Sequence, residues 1–87
     1  MSEKNVFFTE KAWKEFCSLK PSDPLVKKIK DTIKDIQRGN NLGQEEHLKH
    51  EYSGFMSRHL DKKNRLIYKV ENNTVQIVKC THHYNDK

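Results

Sequence analysis

The sequence has no apolar run approaching the length of a membrane span, and its opening "MSEKNVFF" lacks the apolar stretch of a signal peptide, so a soluble, cytoplasmic protein without a membrane partner is expected. It has two cysteines, Cys17 and Cys80, far apart and in no C-x-x-C pair. That excludes a disulfide framework and a zinc ribbon, and both thiols are expected to be buried and reduced. Five histidines occur without HExxH or Cys/His ligand spacing, so neither a metal site nor a cofactor is expected. Three glycines and two prolines leave no low-complexity tract or linker, and no internal repeat appears. Aromatic residues are 9% of the chain, and the sheet read below offers Tyr68 without an aromatic partner, unlike the stacking platforms of general single-strand binders.

Apolar residues are also scarce, at 33%, equal to the charged share. A chain of 87 residues has room for one core, so residues 1–87 are read as one domain. A core this lean gains from a partner or a second copy. Its 17 lysines and arginines outnumber 12 acids, for a net charge of +5. The basic residues are spread through the chain, as on a folded surface that meets a polyanion.

The pattern along the chain gives the elements. Val6 to Phe8 is a short apolar run suited to a first strand. Thr9 is a helix N-cap followed by Glu10, and Ala12, Trp13, Phe16 and Cys17 form the stripe of an amphipathic helix. Asp23 with Pro24 starts a second helix, with Leu25, Val26, Ile29, Ile33 and Ile36 on one face. Lysines occupy most of the other face, and Gly39 ends the helix. A polar stretch follows, with Leu48 as an expected core anchor. "FMSRHL", "RLIYKV" and "TVQIVKC", separated by "DKKN" and "ENN", then read as an antiparallel meander. The order β-α-α-β-β-β predicts an α+β fold, an antiparallel sheet packed on a helix pair. Leu66, Tyr68 and Val70 should face the helices, leaving a free, partly basic face with Arg65, Ile67 and Lys69.

Antiparallel pairing brings the start of one strand beside the end of the next. Arg65 is therefore expected near His83 and Tyr84, and the loop with Glu46 and Lys49 can close over the same end. A carboxylate, a guanidinium, an imidazole and a phenol form a consistent set for cutting RNA without metal. A carboxylate can take the ribose 2′-OH proton, a guanidinium suits charge growing on phosphate, and an imidazolium can protonate the leaving 5′-oxygen. Each residue alone has a plainer reading as a solvated or ion-paired side chain, and spacing alone leaves catalysis open.

The E-x-L-K loop (Glu46, Leu48, Lys49), S-G-x-x-S-R (Ser53, Gly54, Ser57, Arg58), R-L-x-Y (Arg65, Leu66, Tyr68) and the terminal His83-Tyr84 together resemble the YoeB-type toxins of the RelE superfamily, bacterial ribosome-dependent mRNA interferases. The resemblance runs from Val6 to Tyr84. It implies a RelE-like fold and cleavage of mRNA in the A site of the 70S ribosome, giving a 2′,3′-cyclic phosphate and a 5′-OH. It implies that Glu46 is the general base, His83 the general acid and Arg65 the transition-state stabiliser, with Tyr84 orienting the substrate and Lys49 supporting the phosphate. A cognate YefM-like antitoxin and a tendency to form homodimers are implied as well. Arg58, His59, Lys62 and Lys63 are the expected RNA or ribosome contacts, the two lysines from their place in an exposed turn. The chain departs from the pattern at Glu45 and His47, where prolines are common, at Met56 and His59, and in continuing with Asn85, Asp86 and Lys87. Other readings on the same scaffold are a ParE-like gyrase poison and a basic RNA- or ribosome-binding domain.

Overall fold

A computed structural model describes residues 3–39, 46–49 and 53–81. Strand β1 spans Asn5–Phe8, helix α1 Glu10–Cys17 and helix α2 Pro24–Gln37. Four strands follow: β2 Glu46–His47, β3 Met56–His59, β4 Arg65–Glu71 and β5 Thr74–Lys79. The helix starts are those the sequence encodes. Thr9 Oγ1 accepts from the Ala12 amide at 3.2 Å, and Asp23 Oδ1 accepts from the Leu25 amide at 2.9 Å, with Pro24 in the first turn. Arg38 caps α2, and Gly39 turns the chain away at φ 78°, a conformation that suits glycine.

The five strands form one sheet in the order β1-β5-β4-β3-β2. Strands β3 to β5 pair antiparallel, as the meander predicts; Glu46–His47, read from the sequence as part of a polar loop, adds β2 antiparallel to β3, and β1 joins β5 in parallel, so the sheet has five strands and is mixed. A parallel pair needs a long connection, and here the helices and the meander supply it. Asn72 and Asn73, both at positive φ, make the two-residue turn between β4 and β5. A register shift opposite Ile67 and Tyr68 bulges β5 near its end.

The core lies between the helices and one face of the sheet. Ala12, Leu25, Ile29, Ile33 and Ile36 meet Leu60, Leu66, Tyr68, Val75, Ile77 and Cys80 there. On α1 the four-residue spacing splits the expected stripe: Ala12 is buried and Phe16 half-buried, while Trp13 and Cys17 are exposed. The expectation that both cysteines are buried thus holds for Cys80 alone. Its thiol donates to the Ala12 carbonyl at 3.4 Å, and burial, then the charge of Glu15, pushes its pKa up to about 12. Glu15 ties α1 to the end of β5, accepting from the Cys80 amide at 2.9 Å and pairing with Lys79 at 3.3 Å. No helix among the described residues is long and apolar enough to cross a membrane.

Candidate active site

Because Leu66 and Tyr68 of β4 enter the core, alternation turns Arg65 and Ile67 to the opposite face. The register then sets their neighbours. Ser57 lies across from Ile67 on one side and from Glu46 on the other, and His59 lies across from Arg65. Glu46, Ser57, His59, Arg65 and Ile67 therefore share one patch of this face.

Two contacts join the patch. Arg65 Nη1 donates to Glu46 Oε1 at 2.8 Å and to Ser57 Oγ at 3.5 Å. The first has the length of a charge-assisted bond, while the second is long. Nη1 carries two hydrogens, so both are directed within the patch and Nη2 and Nε remain as donors. Nε is buried and has no hydrogen-bond partner among the described residues. The Arg65 side chain is 16% exposed and that of Glu46 54%, so the guanidinium is sunk into the face and the carboxylate stands at its opening.

This face is less open than the sequence suggests. Ile67 is fully buried and Ser57 is too, so the face has a closed centre instead of a free basic surface. A guanidinium resting beside apolar surface has little water to screen it, which strengthens its interaction with nearby charge. Lys69 lies 5.5 Å from the centre of the Phe55 ring and pairs with Glu71 at 3.4 Å.

The other expected site residues divide. Lys49 is exposed just beyond Glu46, and His59 is exposed beside Arg65. Lys62 and Lys63 are exposed in the turn between β3 and β4. Asp61 shapes that turn, its Oδ1 accepting from the amides of Lys63 and Asn64, each at 2.8 Å. His83 and Tyr84, and also His82, lie outside the described residues. The nearest described part of that expectation is the Arg65 amide, which donates to the Thr81 carbonyl at 3.0 Å.

Two readings are corrected. Arg58 is 4% exposed and sits 4.0 Å from Asp35 of α2, on the helix side of β3. Its alternation with Ser57 and His59 turns it inward, so it belongs to the packing of β3 under α2 and not to a nucleic-acid surface. Leu48 is only half-buried and lies outside the core cluster, because Glu46–His47 forms the edge of the sheet away from the helices. Ser57 is the polar member of the patch to which the sequence assigned no role. The signal for it was its even spacing from His59, which places both on the Arg65 face.

The model for the YoeB-like toxins of bacterial type II toxin–antitoxin systems matches residues 8–84. Toxin YoeB of Escherichia coli K12 is 35% identical over 82 residues, covering 91% of this chain and 98% of its own. Among solved structures, a chain of the YoeB–YefM complex from Staphylococcus aureus superposes with a TM-score of 0.82 at 30% identity, covering 95% of this chain and 100% of its own. The structure of the YoeB dimer from the same organism gives a TM-score of 0.82 at 31% identity, with the same coverage.

Proposed function

The chain belongs to the YoeB-like toxins of bacterial type II toxin–antitoxin systems, and from that premise we propose that it is an endoribonuclease that cleaves mRNA in the ribosomal A site by acid–base catalysis and so halts translation. The observation that carries this reading is the 2.8 Å contact between Glu46 and Arg65, which couples a solvent-reaching carboxylate to a sunken guanidinium on one face.

In this mechanism Glu46 takes the proton from the ribose 2′-OH, and the freed oxygen attacks the adjacent phosphorus. Charge grows on the phosphate oxygens as the new P–O bond forms. Arg65 meets that charge with its remaining donors, and its planar fork suits two oxygens at once. Its ion pair with Glu46 also aims the carboxylate. His83 then protonates the departing 5′-oxygen, leaving a 2′,3′-cyclic phosphate and a 5′-OH. His83 follows Thr81 by two residues in the sequence, and the Thr81 carbonyl accepts from the main-chain amide of Arg65. Tyr84 orients the substrate and Lys49 supports the phosphate. His59, Lys62 and Lys63 add positive or titratable groups on the side that meets RNA. No step calls for a metal ion.

The restraining partner in this reading is a YefM-like antitoxin, the partner seen with the Staphylococcus aureus relative, and self-association follows the dimer known for that relative. A toxin acting on ribosomes works in the bacterial cytoplasm. The test is the chemistry of the product ends. Purified ribosomes loaded with mRNA should yield fragments with a 2′,3′-cyclic phosphate, or its hydrolysed 3′-phosphate, opposite a 5′-OH, and a 2′-deoxy sugar at the scissile position should block cleavage. A 5′-phosphate would mean that water is the nucleophile and would remove Glu46 from the role of base.

A further inference from the structure

We infer that Ser57 is a positioning residue whose small volume and hydroxyl let the Arg65 side chain lie across β3 to reach Glu46. The inference rests on the nuclease reading for its effect on rate, but its geometric part stands apart from that reading.

The sheet itself requires such a residue. Glu46 is on β2 and Arg65 on β4, and β3 runs between them. Neighbouring strands are about 4.8 Å apart, so the two backbones are separated by roughly 10 Å. A 2.8 Å contact between their side chains must therefore pass over β3. On the face in question β3 presents Ser57 and His59, and Ser57 is the residue directly across from Glu46. Its side chain is among the smallest available, so the guanidinium can lie low over the strand. A branched or longer apolar residue would occupy the crossing.

The hydroxyl has its own part. Ser57 is fully buried, and a buried hydroxyl without a partner is costly. Its Oγ accepts from Arg65 Nη1, the nitrogen that also serves Glu46. Two acceptors on one nitrogen fix the rotation of the guanidinium plane, which decides where Nη2 and Nε point. The 3.5 Å length is that of a contact that can shorten when a phosphate draws the guanidinium down.

Threonine and valine have nearly the same volume and differ in the hydroxyl, so Ser57→Thr and Ser57→Val separate the two contributions, while Ser57→Ala loses the hydroxyl with no added bulk. Two measurements apply to the full chain: ribosome-dependent cleavage resolved into kcat and KM, and the exchange broadening of the Arg65 side-chain N–H signals by NMR. Ser57→Ala should lower kcat by about tenfold with KM within twofold, the size of one hydrogen bond to a charged group. Ser57→Val should lose more than Ser57→Thr, and the Arg65 signals should broaden in the same order. If Thr and Val behave alike in both measurements, or Ala leaves both unchanged, the inference is overturned. Should Thr and Val prove too large to fold, Ala alone decides. Should wild-type protein fail to cleave, the nuclease reading falls, and the Arg65 signals in Ala still settle whether Ser57 orders the guanidinium.

Discussion

The molecule holds two sunken arginines on neighbouring strands, Arg58 on β3 and Arg65 on β4, each beside a carboxylate. Arg58 turns toward the helices, 4% exposed and 4.0 Å from Asp35 of α2. Arg65 turns the other way, 16% exposed and 2.8 Å from Glu46 of β2. The same chemical pair serves different ends because the layers differ. On the helix side the guanidinium is almost wholly buried while Asp35 is 35% exposed, and the pair links β3 to α2. On the opposite face the carboxylate reaches solvent, so the pair can trade its internal contact for a phosphate. Residue type alone does not distinguish the two; the side of the sheet does.

The comparison breaks most visibly in rates. Arg65→Gln and His83→Gln should each cost cleavage about 10²-fold or more while leaving the midpoint of thermal unfolding nearly unchanged. His82→Gln should lose far less, since the proposed acid is His83 and no role falls to His82. Single-turnover assays on programmed ribosomes would measure all three. Arg65→Gln cutting at near wild-type rate, or His82 outranking His83, would discard the assigned set.

Next comes stability. Arg58→Ala should lower the free energy of unfolding by about 2–4 kcal/mol in urea titrations, because it removes a buried stem and leaves Asp35 without that partner. Cleavage per folded molecule should persist. Arg58→Met, which refills the space with an apolar chain, should recover part of the loss. A stable but inactive Arg58→Ala protein would mean that both arginines work on substrate.

A smaller effect concerns docking. Replacing Lys62 and Lys63 together by alanine should make the logarithmic salt dependence of ribosome binding shallower by roughly 1–2 units, with unfolding unaltered. An unchanged slope would take the turn out of the docking surface.

The smallest effect lies in the same turn. Burial alone would raise the Asp61 carboxyl, but the side chain of Asn64 and the amides of Lys63 and Asn64 outweigh it and hold it below its ordinary 3.8. A carboxyl depressed in the folded state stabilises above its unfolded value and loses that contribution as pH falls through the folded value. The stability gap between wild type and Asp61→Ala should therefore be full at neutral pH and narrow as pH drops below about 3.8. Chemical denaturation at pH 7 and pH 3 would show it, and a gap that widens in acid would contradict the sign.

What the residues decided alone is what local chemistry decides. Thr9, Asp23, Pro24 and Gly39 carry their own capping and turn geometry, so both helix starts and the end of the second helix could be read from the sequence. The paired asparagines favour the tight turn between β4 and β5, and the alternation of β4 assigned Leu66 and Tyr68 to the core. The motif residues Glu46 and Arg65 were likewise legible by type. Their meeting was decided by the tertiary structure, as were the parallel entry of β1, the burial of Ile67 and Arg58, and the exposure of Trp13 and Cys17. Those properties belong to strand order and to which layer covers a face. They depend on contacts between residues distant in the chain, for which neither periodicity nor a cap residue carries a signal.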